Sequence, residues 1–214
     1  MTIETPEESV REFEKDLGIK IGFLENLIQD DDWSFIIKIH ALLESAVSLL
    51  LTKSVGNGKL QDIFSTIELS NKKYGKLAFV KALSLLDRPD RRFISSMSEL
   101  RNKLVHNITN VEFSLKEHVS KLSNGQFLQF AKSFDSFSSE DERHNKSKKD
   151  KVRELFRSNP KKAIWFSAMI TIGIIYQKKL IEDANIKTRD LREEIAKKYI
   201  RLNIRTSNGD KNKS

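Results

Sequence analysis

The stretch DDDWSFIIKIHALLESAVSLLLTKSVGNG, residues 30–58, reads as a single helix with almost no polar face. At about 100° per residue, Ser34, Lys38, Ala41, Ser45, Ser48 and Thr52 fall on one narrow polar or small stripe. Phe35, Ile36, Ile37, Ile39, Leu42, Leu43, Val47, Leu49, Leu50 and Leu51 occupy the rest of the circumference. The three aspartates are suited to cap its start, and Gly56-Asn57-Gly58 to end it near Ser54. A helix this apolar belongs at the centre of a helical bundle.

The flanking sequence is read in the same way. Thr5-Pro6-Glu7-Glu8 starts a helix that runs through Phe13 and pauses near Gly18. Ile21, Leu24 and Ile28 mark a further turn or two, Leu60–Ile67 a short weak segment, and Asn71–Leu86 another helix. Pro89 or Asp90 opens a helix from Arg91 to about His106, with a core stripe at Phe93, Met97, Leu100 and Leu104. Two shorter amphipathic pieces follow, Val111–Leu122 and Gln126–Phe137. Ser138–Lys151 contains no aliphatic or aromatic residue and reads as a linker, followed by a short helical turn at Val152–Arg157. A long helix is expected from about Pro160 to Asp183, with a charged extension to about Ile200.

The expected fold is all-α: a compact up-down helical bundle with a long basic C-terminal helix. Its organisation is a helical domain over 1–137, a flexible linker over 138–151, C-terminal helices over 152–200 that complete or extend the bundle, and a disordered basic tail over 201–214. Only 8 Gly and 3 Pro occur, which suits long helices. The apolar run Ala163–Tyr176 is broken by Ser167, Thr171 and Gly173 and is shorter than the roughly 20 residues a bilayer span needs, so it is expected to be buried in protein. With an acidic N-terminus unlike a secretory signal, the expectation is a soluble, cytoplasmic protein with no membrane partner.

The absence of cysteine excludes disulfides, thiolate metal sites and cysteine nucleophiles. The net charge of +8 is uneven: Arg143–Ser214 holds 20 Lys and Arg against 8 Asp and Glu, leaving the first 142 residues at −4. Such a basic end is either a solvated tail or an arm for nucleic acid or an acidic partner. His40, His106, His118 and His144 do not have metal-ligand spacing, and neither a phosphate-binding glycine loop nor a GxSxG elbow is present, so no metal or cofactor is expected. Trp33 and Trp165 read as core anchors.

One constellation could carry chemistry. Arg101, Asn102 and His106 lie at the C-terminal end of a helix, and Asn102 and His106 share a face with Ser95 and Glu99. A guanidinium that binds phosphate beside an imidazole that titrates near neutrality could cleave RNA without metal, the ribose 2′-OH acting as nucleophile. Alternatively, Arg101 pairs with a carboxylate and His106 caps the helix. His40 and Glu44 sit on the flank of the central helix, and Arg101 is the natural donor to Glu44; otherwise Glu44 lies partly exposed at the edge of the polar stripe.

Residues 98–107, SELRNKLVHN, resemble the RNxxxH signature of HEPN domains, all-α bundles that often dimerise. The order Asp30-Asp31-Asp32, an apolar helix with an internal Glu44, and a later helix ending in R-N-x-x-x-H resembles the mannitol operon repressor-like branch over about Leu24–Phe137. The resemblance implies either of two roles. One is a homodimeric, metal-independent endoribonuclease of toxin or defence type. In it Arg101 would engage the scissile phosphate, His106 transfer protons, Asn102 orient them and Glu44 support, with an antitoxin as possible partner. The other is a non-enzymatic dimeric regulatory or interaction protein, of the kind named for transcriptional regulation.

Overall fold

The computed structural model describes residues 5–71, 73–139 and 145–209, with side chains as far as residue 200 except that of Ile108. Ten α-helices are described: α1 (Pro6–Asp16), α2 (Phe23–Asn26), α3 (Asp32–Val55), α4 (Gln61–Thr66), α5 (Lys76–Ala82), α6 (Arg88–Val105), α7 (Leu115–Ser120), α8 (Asn124–Phe134), α9 (Lys146–Ser158) and α10 (Pro160–Gly209). Short 3₁₀ turns join some of them, and no strand occurs among the described residues. The protein is an all-α helical bundle.

α3 lies at its centre. Phe35, Ile36, Ile39, Leu43, Val47 and Leu50 are wholly buried, each removing apolar surface worth about 1.5–3 kcal/mol. α10, α6, α4 and α5 cover it, while Lys38, Ala41 and Ser45 of the anticipated stripe reach solvent. Thr52, from the same stripe, is buried, and its hydroxyl donates to the Ser48 carbonyl at 2.9 Å. The three aspartates divide their work. Asp31 caps α3 through the Ser34 N–H at 2.8 Å, Asp30 pairs with Lys38 at 2.8 Å, and Asp32 accepts from the Leu115 N–H at 2.7 Å.

α10 packs on α3 and, on another side, on α1. Its polar interruptions are stitches. Ser167 Oγ donates to the Phe134 carbonyl at 2.6 Å, and Ser136 Oγ lies 2.8 Å from Thr171 Oγ1. Trp165 Nε1 donates to the Leu24 carbonyl at 2.8 Å, and both tryptophans pack against the core. Asp32–Val55 and Pro160–Ile200 are long and apolar enough to cross a membrane by length and composition, but half or more of each apolar stretch is buried against other helices.

Several boundaries differ from the sequence reading. The helix expected over 71–86 is confined to Lys76–Ala82, because Asn71 Oδ1 accepts from the N–H groups of Lys73 and Tyr74 and holds a turn in competition with helix. At its other end, Ser84 adopts a left-handed conformation with φ 54°. The piece expected from Val111 is helical only over Leu115–Ser120, and α8 stops at Phe134. Within the expected linker, Asn145 caps α9 by accepting from the Lys148 N–H at 3.2 Å, so the helix begins at Lys146; residues 140–144, His144 among them, lie outside the described residues. The backbone expected to be disordered after residue 200 continues as α10 to Gly209, and 210–214 lie outside the described residues.

α1 and α10 meet at Gly173, where an added Cβ would lie 3.2 Å from Pro6 Cα and 3.3 Å from Pro6 Cβ. A leucine there must push α1 away. Gly173→Leu is expected to lower stability by about 1–3 kcal/mol in urea unfolding, and no loss would mean that this helix pair is loosely packed.

Candidate functional site

α6 carries the signature residues because Phe93, Met97, Leu100 and Leu104 fix its rotation; all four are buried in the core. Arg101 and Asn102 are thereby held partly exposed, and His106 stands exposed at the C-cap. Arg101 Nη1 donates to Asn102 Oδ1 at 3.1 Å, so the amide orients the guanidinium. On an ideal helix, Arg101 and His106 leave the axis about 140° apart and about 7.5 Å along it. One chain therefore brings Arg101 and Asn102 together but leaves His106 on a different flank.

The anticipated pairing of Glu44 with Arg101 is not what the structure holds. Glu44 Oε1 accepts from Lys76 Nζ at 2.8 Å, and among the described residues Arg101 has no salt bridge. The physical reason is burial: the Lys76 side chain is 0% exposed, whereas that of Glu44 is 36% exposed. A buried ammonium needs a carboxylate far more than a partly solvated guanidinium does. Removing Glu44 would strand that charge at a cost of about 2–4 kcal/mol, allowing for screening on the exposed side of the pair.

Gly75 makes this geometry possible. An added Cβ would lie 2.5 Å from the Asn71 backbone nitrogen, so only glycine lets the chain fold over Asn71 and direct Lys76 inward. Neither Lys76 nor Gly75 belongs to a pattern that singles it out in the sequence. The only hint is a lysine that opens the apolar run KLAFV.

His40 lies beside this pair. Its Nε2 is 3.2 Å from Ser98 Oγ, and Ser98 Oγ donates to the Ile94 carbonyl at 3.1 Å. Ser98 spends its proton on that carbonyl, so its oxygen accepts and Nε2 of His40 carries the hydrogen. Burial pushes the His40 pKa down; Glu44 pulls it up, while Arg101 and Lys76 press it down further. Arg101 thus lies within electrostatic reach of His40 and makes no ion pair with a carboxylate among the described residues.

His106 does not cap the helix through hydrogen bonds. Asn110 Nδ2 donates to the Lys103 carbonyl at 2.9 Å and to that of Leu104 at 3.3 Å, and so satisfies the carbonyls at the end of α6. The imidazole is left unengaged among the described residues. Glu99 and Lys103, on the neighbouring flank, line an open groove of about 420 Å³ with His118. Burial pushes the His118 pKa down, as do Lys103 and Lys121. Among the described residues no group of three or more His, Asp or Glu is placed to hold a metal ion.

Comparison with protein-family models, curated proteins and solved structures gives no match.

His40 and His118 both have pKa values lowered by folding, so around pH 6 the unfolded chain binds more protons than the folded one. The stability they support is present above the unfolded value near 6.5 and is lost as the pH falls below it. Urea unfolding between pH 7 and 5.5 should show stability decreasing by up to about 1.4 kcal/mol per pH unit for each histidine. His40→Gln should reduce the slope, and a flat or rising profile would contradict the assignment.

Proposed function

We propose that this chain is an RNA-acting protein of the HEPN type: a metal-independent endoribonuclease that works as a homodimer. The observation that carries the reading is a partly exposed Arg101, oriented by Asn102 and unclaimed by any carboxylate among the described residues, on the helix that ends in an exposed, unengaged His106. Phosphate is the ligand chemistry that such a guanidinium suits.

In the proposed reaction the ribose 2′-OH attacks phosphorus and loses its proton to one imidazole. The P–O5′ bond breaks and the departing oxygen takes a proton from a second, leaving a 2′,3′-cyclic phosphate and a 5′-hydroxyl. Arg101 offsets the charge that develops on the non-bridging oxygens. One chain offers a single His106, turned about 140° from Arg101, so both proton transfers require a second copy. Glu44 contributes indirectly, by neutralising Lys76. The basic Arg143–Ser214 segment supplies a field that attracts RNA or an acidic antitoxin-like partner.

The same angular separation supports a second reading, in which Arg101 and His106 stabilise a dimer of a non-enzymatic regulatory protein. The two are separated by incubating purified protein with mixed RNA in EDTA. Cleavage is expected, reduced at least about 100-fold by Arg101→Ala and by His106→Ala with melting temperatures unchanged. No cleavage, or cleavage indifferent to both changes, overturns the nuclease; dimer dissociation in His106→Ala without any activity supports the regulatory reading.

A further inference from the structure

α10 outruns the bundle that it helps to build. It passes the end of α3 at Gly56, where an added Cβ would lie 3.2 Å from Arg189 Nη2 and 3.5 Å from Ile186 Cδ1. Every residue from Lys187 to Ile200 is exposed, and the helix continues to Gly209. A helical stretch of that length without tertiary cover is only marginally stable in water. Yet it is not polar all round. Ile181, Ala184, Thr188, Leu191, Ile195 and Tyr199 recur at intervals of three and four and fall within about 80° of the circumference. The four large side chains among them are 43% to 67% exposed. The same face continues back along the bundle through Gln177, Ile174 and Ile170, which line an open groove of about 250 Å³ beside Pro6 and Ser9 of α1.

The charges beside the stripe indicate what covers it. On the opposite face Glu193 pairs with Lys197 at 3.9 Å and Arg189 with Asp190 at 3.8 Å. Lys187 and Glu194, two turns apart on one flank of the stripe, make no ion pair among the described residues. An antiparallel second copy lays this flank against itself, so that each Lys187 meets Glu194 of the partner subunit. A parallel copy instead sets Lys187 against Arg192 of the partner subunit, and the two cations repel.

We propose that the projecting part of α10 is an assembly arm that pairs, antiparallel, with the same arm of a second copy of this chain. In the register that joins Lys187 to the partner's Glu194, Ile195 sits on the partner's Ala184 and Leu191 on the partner's Thr188, large against small. Gly209 then reaches as far as the partner's Ile170, so the last three turns of each arm lie along the groove beside α1 of the other copy. The length of the arm and the length of the open face agree. Arg101 acts on His40, in the first half of α3, whereas the arm departs from the end of α3. This contact is therefore separate from the one that catalysis by Arg101 and His106 would require.

Sedimentation and cysteine cross-linking of the full chain test the proposal, the latter without background because the chain has no cysteine of its own. Leu191→Glu combined with Ile195→Glu should halve the sedimenting mass and leave the near-ultraviolet circular dichroism of the core unchanged. Lys187→Glu should weaken association at least about tenfold, and adding Glu194→Lys should restore it. Ala184→Cys and Ile195→Cys should form a disulfide when the two variants are mixed, but neither should cross-link alone. Arg101→Ala should leave that cross-link intact, so that this proposal and the nuclease reading fail separately. The proposal is overturned if the chain sediments as a monomer at high micromolar concentration, if the double glutamate variant keeps the parent mass, or if each cysteine variant cross-links with itself, as a parallel pair would. A monomer whose arm binds anionic-lipid vesicles would also overturn it, by assigning the stripe to a membrane surface.

Discussion

α3 is apolar around most of its circumference, and the other helices are arranged by the need to cover it. Solvent reaches it most fully along the strip that includes Lys38, Ala41 and Ser45. α10 takes one side, α6 another, and the short α4 and α5 close what remains. Each polar group on α3 outside that strip must then find a partner inside the bundle, because a buried charge or imidazole without one is costly. His40, buried, and Glu44, half-buried, are two such groups, and their partners are Ser98 and Lys76.

Lys76 settles how the charges near Arg101 are apportioned. It is the most deeply buried cation in that cluster and takes the Glu44 carboxylate, while burial, against the pull of Glu44, pushes the His40 pKa down. Arg101 is therefore left without a carboxylate partner among the described residues, steadied by an amide that adds no counter-charge.

Much of this was legible in the sequence wherever burial imposes a period. Phe93, Met97, Leu100 and Leu104 fixed the inward face of α6, and Thr5-Pro6, Asp31 and Gly56 marked helix ends by capping chemistry that acts over three or four residues. Ser167 and Thr171 interrupted an apolar run where they bind the end of α8 and Ser136. What was not legible depends on contacts distant in sequence or on helices without an apolar face. Lys76 meets Glu44 across 32 residues, and no local pattern foretells that. The first two turns of α9, KSKKDK, are exposed throughout and lack the periodicity by which helices are recognised. Asn71 and Asn110 hold a turn and a helix end with two side-chain hydrogen bonds each, which composition does not distinguish from ordinary loop residues.

The central claim is that Glu44 serves Lys76 and leaves Arg101 available to an external anion. A pair of double-mutant cycles on folding stability tests it directly, combining Glu44→Gln with Lys76→Met in one and with Arg101→Gln in the other. The account predicts a coupling of at least about 1 kcal/mol for Glu44 with Lys76 and less than about 0.3 kcal/mol for Glu44 with Arg101. The reverse order would mean that Arg101 is already bound by the protein's own carboxylate, and the phosphate-binding role would have to be abandoned.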